Sequence, residues 1–225
     1  MSKWERESYG EEPDQFFERY QRTESQGPLI IAIHGGFWKP EHDREHMRPL
    51  AEALGEKGFH VLLAEYRRIP GDPDAAINDI HRIMSTLFPA SFILLGYSAG
   101  GHLALITAPY RFQVEAIIAL APVTDLERTE REGLGEGAVA QWLGIPAADR
   151  GDLNPIIDTS LEIPIRILHG TGDERVPITH SRDYVTAMQA AGIDAQLHEL
   201  AGLGHFELMD PSGLVVEKII ELFQN

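Results

Sequence analysis

Two hydrophobic patterns alternate along this chain. The first is the short apolar run, seen in Leu29-Ile30-Ile31-Ala32-Ile33, in Phe92-Ile93-Leu94-Leu95 and, with one break, from Val114 to Leu120. Runs of this length and composition predict strands buried on both faces. Phe59 to Ala64, Ile165 to Leu168 and Ala195 to Leu200 predict three more strands, and Phe16 to Gln21 a short strand at the sheet edge. The second pattern has helical spacing. Met47, Leu50, Ala51 and Leu54 mark a helix from about Glu41 to Lys57 that ends at Gly58. Ala76, Ile77, Ile80, Ile83, Met84 and Leu87 form one stripe between Pro73 and Pro89, with the first proline placed to start the helix. Helices are also predicted over 99–108, 178–191 and 214–223.

Strand and helix in alternation imply an α/β fold: a mostly parallel sheet of about 7–8 strands with helices on both faces. The reading is one domain over residues 1–225. Residues 1–14, polar and acidic, are expected to form an extended N-terminal arm. Residues 124–162 break the rhythm. Gly133, Gly135 and Gly137 mark a loop there and Val139 to Leu143 a short helix. The segment predicts a small insertion or flap and is too short for a large lid domain.

Charge narrows the partners. With 19 basic against 35 acidic residues the net charge is −16, which disfavours nucleic acid and anionic membrane and leaves a small-molecule substrate as the expected partner. The absence of cysteine removes disulfides and any thiol nucleophile. The opening residues Met1-Ser2-Lys3-Trp4-Glu5-Arg6-Glu7 are charged rather than apolar, and no apolar run approaches the length of a membrane span, so a cytoplasmic protein is expected. Nothing in the sequence speaks to oligomeric state.

The chemistry centres on Gly96-Tyr97-Ser98-Ala99-Gly100, which joins the 92–95 strand directly to the helix beginning at Ala99. At such a junction G-x-S-x-G forms a tight turn that pushes the serine hydroxyl out above the sheet edge. A serine needs a base, and the base an orienting acid, and with this elbow they follow in the order Ser, Asp or Glu, His. Asp173 lies just past the 165–168 strand and His205 just past the last one, both at the edge where open α/β sheets bind ligands. Glu174 and Asp125 compete for the acid, although Asp125 also suits the start of a helix at Leu126. His102, His169 and His198 compete for the base, but His102 faces the buried start of the elbow helix, while His198 within a strand and His169 just past one suit hydrogen bonds to backbone. The developing oxyanion needs N–H donors. Ala99 offers one from the elbow, and the glycine-rich loop His34-Gly35-Gly36-Phe37-Trp38 follows the first central strand, where a second is required. One rival pattern is present: His42-Asp43-Arg44-Glu45-His46 fits the H-x-x-E-H of some zinc peptidases, with a solvated helix face as the alternative reading.

The combination of His34-Gly35-Gly36-Phe37-Trp38, Gly96-Tyr97-Ser98-Ala99-Gly100, Asp173 and Gly204-His205-Phe206 resembles the α/β-hydrolase superfamily. It is most similar to the serine-dependent kynurenine formamidase and small-acyl esterase group, whose oxyanion motif is H-G-G-x-W. The resemblance implies Ser98 as nucleophile, Asp173 as acid, His205 as base, and Gly36, Phe37 and Ala99 as oxyanion donors. It also implies cleavage of an ester or aryl formamide through an acyl-enzyme, with no metal and no organic cofactor. Phe37, Trp38 and Tyr97, bulky and near the serine, suit a small acyl group, with Trp38 and Tyr97 as substrate-binding residues. An amidase, thioesterase or peptidase with the same triad, and a non-catalytic binding protein of this fold, are the alternatives.

Overall fold

A computed structural model describes residues 3–21, 27–108 and 113–223. Eight strands form one sheet in the order β1-β2-β4-β3-β5-β6-β7-β8. They are β1 (Trp4–Ser8), β2 (Phe16–Tyr20), β3 (Leu29–Ile33), β4 (His60–Ala64), β5 (Phe92–Tyr97), β6 (Val114–Leu120), β7 (Ile165–Gly170) and β8 (Ala195–Leu200). From β4 to β8 every neighbouring pair is parallel, while β1 and β2 are added antiparallel. The registers Ile33↔Gly96, Gly96↔Ala119 and Ala119↔Ile167 bring the C-terminal ends of four central strands to one edge.

Alternation along each strand divides the apolar side chains between two layers. Ile31, Ile33, Leu94, Ile117 and Ile167 face α2 (Pro73–Leu87), α3 (Ala99–Thr107) and α6 (Thr179–Ala190). Ile30, Ala32, Leu95, Ile118 and Leu168 face α1 (Arg48–Glu56) and α7 (Leu214–Leu222). Helices cover both faces of a mostly parallel sheet, as the alternating pattern implies. Asp72 caps α2 by accepting from the Ala75 N–H at 3.3 Å, and Pro73 opens the helix.

Two expectations need correction. Within the expected 1–14 extended arm, Trp4–Ser8 is the edge strand β1, which pairs along its length with β2, so β2 is one place in from the edge. Its sequence Trp-Glu-Arg-Glu-Ser lacks an apolar face because an edge strand is held by backbone pairing and by contacts such as Trp4 edge-on to Tyr20 at 5.2 Å. The helix expected from Glu41 begins only at Arg48, after a 3-10 turn over Arg44–Met47. Pro49 has no N–H to donate back to Glu45, so α-helical bonding cannot extend across it. In the 124–162 segment the expected glycine-rich break is present, with Gly135, Glu136 and Gly137 at φ of 61°, 61° and 79°, and helix follows to Leu143. The segment comprises α4 (Leu126–Arg131), α5 (Leu134–Leu143, kinked across those residues) and two 3-10 turns, Ala147–Leu153 and Pro155–Ile157.

A buried carboxylate ties the added strands to the parallel core. Asp79 on α2 is wholly buried and accepts from Gln15 Nε2 at 2.7 Å, from the Arg67 N–H at 3.0 Å, and from the Arg67 guanidinium twice at 2.8 Å. Asp79→Ala is expected to lose about 3 kcal/mol of stability in urea unfolding, because the buried Gln15 amide and the Arg67 N–H are left without acceptors.

Candidate active site

The turn after β5 is as tight as a backbone turn can be. Ser98 has φ 55° and ψ −117°, a left-handed geometry rare for a residue with a side chain. Its N–H donates to Leu120 O at 2.8 Å, and its carbonyl accepts from the His102 N–H at 3.1 Å, so sheet and helix both hold it in place. The flanking glycines are required by contact. A Cβ on Gly96 would stand 2.3 Å from Gly100 O, and one on Gly100 would stand 2.1 Å from Ile33 O. Ala99 is fully buried at the first turn of α3, where N–H groups have no intrahelical acceptor.

The loop after β3 lies against this turn because Gly35 has no side chain; a Cβ there would meet Tyr97 O at 2.8 Å. Gly36, Phe37 and Trp38 follow with φ of 105°, 50° and 56°, three consecutive left-handed residues. A buried polar cluster holds them. His34 stacks on Tyr66 at 4.4 Å, its Nε2 lies 3.1 Å from Glu65 Oε1, and the Tyr66 hydroxyl donates to His34 O at 2.9 Å. Glu65 also accepts from the Arg44 N–H and guanidinium, both at 3.2 Å, and from Arg68. Burial works against its charge, but the hydrogen bond from His34 and the charge of Arg68 hold the carboxyl well below the usual range.

Asp173 and His205 meet through the loops after β7 and β8. The loops touch because a Cβ on Gly170 would be 2.1 Å from Leu203 O, and the Gly172 N–H donates to that same carbonyl at 2.9 Å. His205 Nδ1 donates to Asp173 Oδ2 at 2.6 Å. Asp173 Oδ1 accepts from the Arg175 and Val176 N–H groups at 2.8 and 2.9 Å. Burial raises the cost of the Asp173 charge, yet the bonds from His169, His205 and Val176 outweigh it and keep the carboxyl below its ordinary range. The Tyr97 hydroxyl donates to His205 O at 3.3 Å, and the two rings lie 5.0 Å apart.

Ser98 and His205 line one cavity of about 590 Å³. Gly36, Phe37 and Lys39 form its wall from the loop after β3, with His42 and His46 from the following turn. Tyr97 comes from β5, Gly135 and Glu136 from α5, and Arg175, Phe206 and Met209 from the last two loops. The 124–162 segment thus contributes Gly135 and Glu136 to the cavity wall. Gly135 gives the Phe37 ring its space, since a Cβ would stand 2.7 Å from it, and Lys39 pairs with Glu136 at 3.0 Å.

Trp38 departs from its expected place. It is 2 % exposed, belongs to the core, does not line the cavity, and stacks on Trp142 at 4.5 Å. The left-handed turn at Phe37 and Trp38 sends the two rings in different directions, Phe37 to the cavity and Trp38 against Trp142 of α5. Of the competing residues, Asp125 caps α4 through the Arg128 N–H at 3.0 Å, Glu174 is exposed, and His102 is buried with Nε2 donating to Leu153 O at 2.8 Å. His169 is more than a strand residue, because Nε2 faces both Val176 O at 2.9 Å and Asp173 Oδ2 at 3.2 Å. His42 and His46 do not form a solvated helix face but part of the cavity wall. His46 packs edge-on to His34 at 5.6 Å, and loss of water there, with repulsion from His34, lowers its pKa to about 4. Glu45 is turned to Arg48 at 2.6 Å, and among the described residues no group of three or more His, Cys, Asp or Glu side chains is placed to hold a metal ion.

Sequence reading did not reach Lys39, Glu136, Arg175, Phe206 or Met209 as wall residues. Only the Gly133–Gly137 cluster and Phe206 beside His205 gave any signal.

Known proteins resemble the chain in sequence and in fold. The chain is similar to the carboxylesterase/phospholipase LipF of Mycobacterium tuberculosis, 27% identical over 82% of this chain, and spans 57% of that relative's length. It is also similar to the kynurenine formamidase of Danio rerio, 22% identical over 95% of this chain and 80% of the relative. Among solved structures, esterase B of Lactobacillus rhamnosis superposes with TM-score 0.82 at 20% identity, over 98% of this chain and 84% of that one. Thermogutta terrifontis Est2 does so with TM-score 0.74 at 24% identity, over 99% and 90%. The fold is that of the α/β-hydrolases. Among the described residues no helix is long and apolar enough to cross a membrane. The BD-FAE family model matches residues 18–188, well over half of the sequence, and the chain belongs to the BD-FAE family.

Proposed function

We propose that the protein is a serine hydrolase that cleaves a small-acyl ester or aryl formamide through an acyl-enzyme. The observation that carries this reading is the 2.6 Å bond from His205 Nδ1 to Asp173, with Ser98 and His205 in the wall of one cavity. Asp173 keeps the Nδ1 proton in place, so Nε2 is the free base. It takes the Ser98 proton as Oγ attacks the substrate carbonyl, returns it to the departing group, and then activates water against the acyl-enzyme. The N–H groups of Gly36, Phe37 and Ala99 stabilise the oxyanion, each donor of this kind contributing about 10²–10³-fold. The strain at Ser98, Phe37 and Trp38 fits this role, since it fixes backbone donors before substrate arrives.

Phe37, Tyr97 and Ser98 line the same cavity of about 590 Å³, and the two bulky rings suit a small acyl group at the serine with the rest of the cavity left to a bulkier leaving group. The relatives named carboxylesterase and kynurenine formamidase support hydrolysis at an acyl carbon, of an ester in one name and a formamide in the other.

Ser98→Ala and His205→Ala should each lower kcat on p-nitrophenyl acetate by roughly 10⁴-fold or more, and the double variant should fall no further, because the two act as one unit. A double variant whose losses multiply would contradict the shared step. A substrate panel fixes the bond type: N-formylkynurenine, p-nitrophenyl esters of increasing chain length, and an aminoacyl amide. Acetyl or formyl derivatives are expected to react fastest, with kcat/KM falling as the acyl chain lengthens past the space between Phe37 and Tyr97.

A further inference from the structure

Arg175 is an arginine without a carboxylate. Arg44, Arg128, Arg166 and Arg182 each hold one at 2.6 to 2.8 Å, whereas among the described residues no acidic side chain lies within 4.0 Å of the Arg175 guanidinium. In a chain with 35 acidic and 19 basic residues, a cation left out of ion pairs in a cavity wall is an available charge. Its position is not casual. The Arg175 N–H donates to Asp173 Oδ1, so the turn that aims the carboxylate also sets this side chain. The guanidinium carbon lies 5.5 Å from the centre of the Phe206 ring, which is 65 % exposed beside His205.

The sheet order tells which part of a substrate would meet it. β5, with Ser98 at its end, lies between β3 on one side and β6 and β7 on the other. Lys39 pairs with Glu136 at 3.0 Å, and Arg175 acts on that exposed carboxylate only at longer range. Glu41, which also lines the cavity, comes from the β3 side, whereas Arg175, His205 and Phe206 come from the β7 and β8 side. If His205 protonates the leaving group, the leaving group lies on the Arg175 side.

Resting on the hydrolase reading above, we infer that the substrate's leaving group carries a carboxylate, held by the Arg175 guanidinium with its carbon frame against Phe206. The substrate class is then a small-acyl ester or amide of a hydroxy- or amino-carboxylic acid. The forked donor of arginine suits a carboxylate, and the aromatic ring suits a flat frame. Ser98 Oγ bonds to the acyl carbon as the acyl–oxygen or acyl–nitrogen bond breaks. The departing atom takes the proton that His205 received from Ser98. Water then splits the acyl-enzyme, giving its hydroxyl to the acid product and a proton back to Ser98.

The test compares kcat/KM for 4-acetoxybenzoate with that for its neutral methyl ester, in wild type and in Arg175→Ala, Arg175→Lys and Arg175→Glu. The quantity read is how the acid-to-methyl-ester ratio changes between variants, since the two leaving groups differ in intrinsic reactivity. The ratio should fall about tenfold in Arg175→Ala, chiefly through KM of the acid, further in Arg175→Glu, and less in Arg175→Lys. A ratio unmoved in both the alanine and glutamate variants, while wild type hydrolyses the methyl ester, overturns this inference alone. Hydrolysis of neither ester by wild type overturns the hydrolase reading and takes this inference with it.

Discussion

The carboxylate of Asp173 is a charge taken out of water, and much of the site is arranged to make that tolerable. An unpaired buried carboxylate would take up a proton, because losing hydration costs several kcal/mol. Here two backbone N–H groups and two imidazoles converge on its two oxygens. Each donor depends on a different piece of structure: the turn after β7, the strand position of His169, and the loop after β8. The hydrogen-bonded carboxyl titrates below its unfolded value near 4. Its contribution to stability is therefore present above that pH and lost as pH falls toward the folded value.

Backbone closeness is what lets these loops converge. At Gly35, Gly100 and Gly170 a methyl group would collide with a neighbouring main-chain oxygen, so each of the three contacts is made between bare backbones. Main-chain atoms cannot rotate aside as side chains do, and geometry fixed in this way varies little. The left-handed residues Phe37, Trp38 and Ser98 are held by surroundings that leave them no alternative. The Glu65 cluster supplies that restraint for the loop after β3, as the sheet and α3 do for Ser98.

The legible parts of the sequence were those in which local chemistry dictates local form. Continuous apolar runs such as Leu29 to Ile33 yield buried strands whatever surrounds them, and the 96–100 motif can hardly adopt another turn. Order along the chain was enough to single out Asp173 and His205, because few polar residues follow strand ends at the binding edge. Other features depend on partners distant in sequence. β1 is a strand because β2 offers it an open edge, and its own five residues carry no apolar alternation. Trp38 looked like a wall residue from its neighbours, but its direction is set by the stack on Trp142, some hundred residues later. His46 and Arg175 enter the cavity through loop paths that no periodicity encodes.

That stack has an optical side. Of the three tryptophans in the chain, two lie face to face, 10° from parallel, one on the loop after β3 and one on α5. Loop and helix are therefore joined by a pair of indoles that absorb and emit together. Any movement that lifts α5 from the loop must pull these rings apart, and the intrinsic fluorescence of the molecule registers the opening without an added dye.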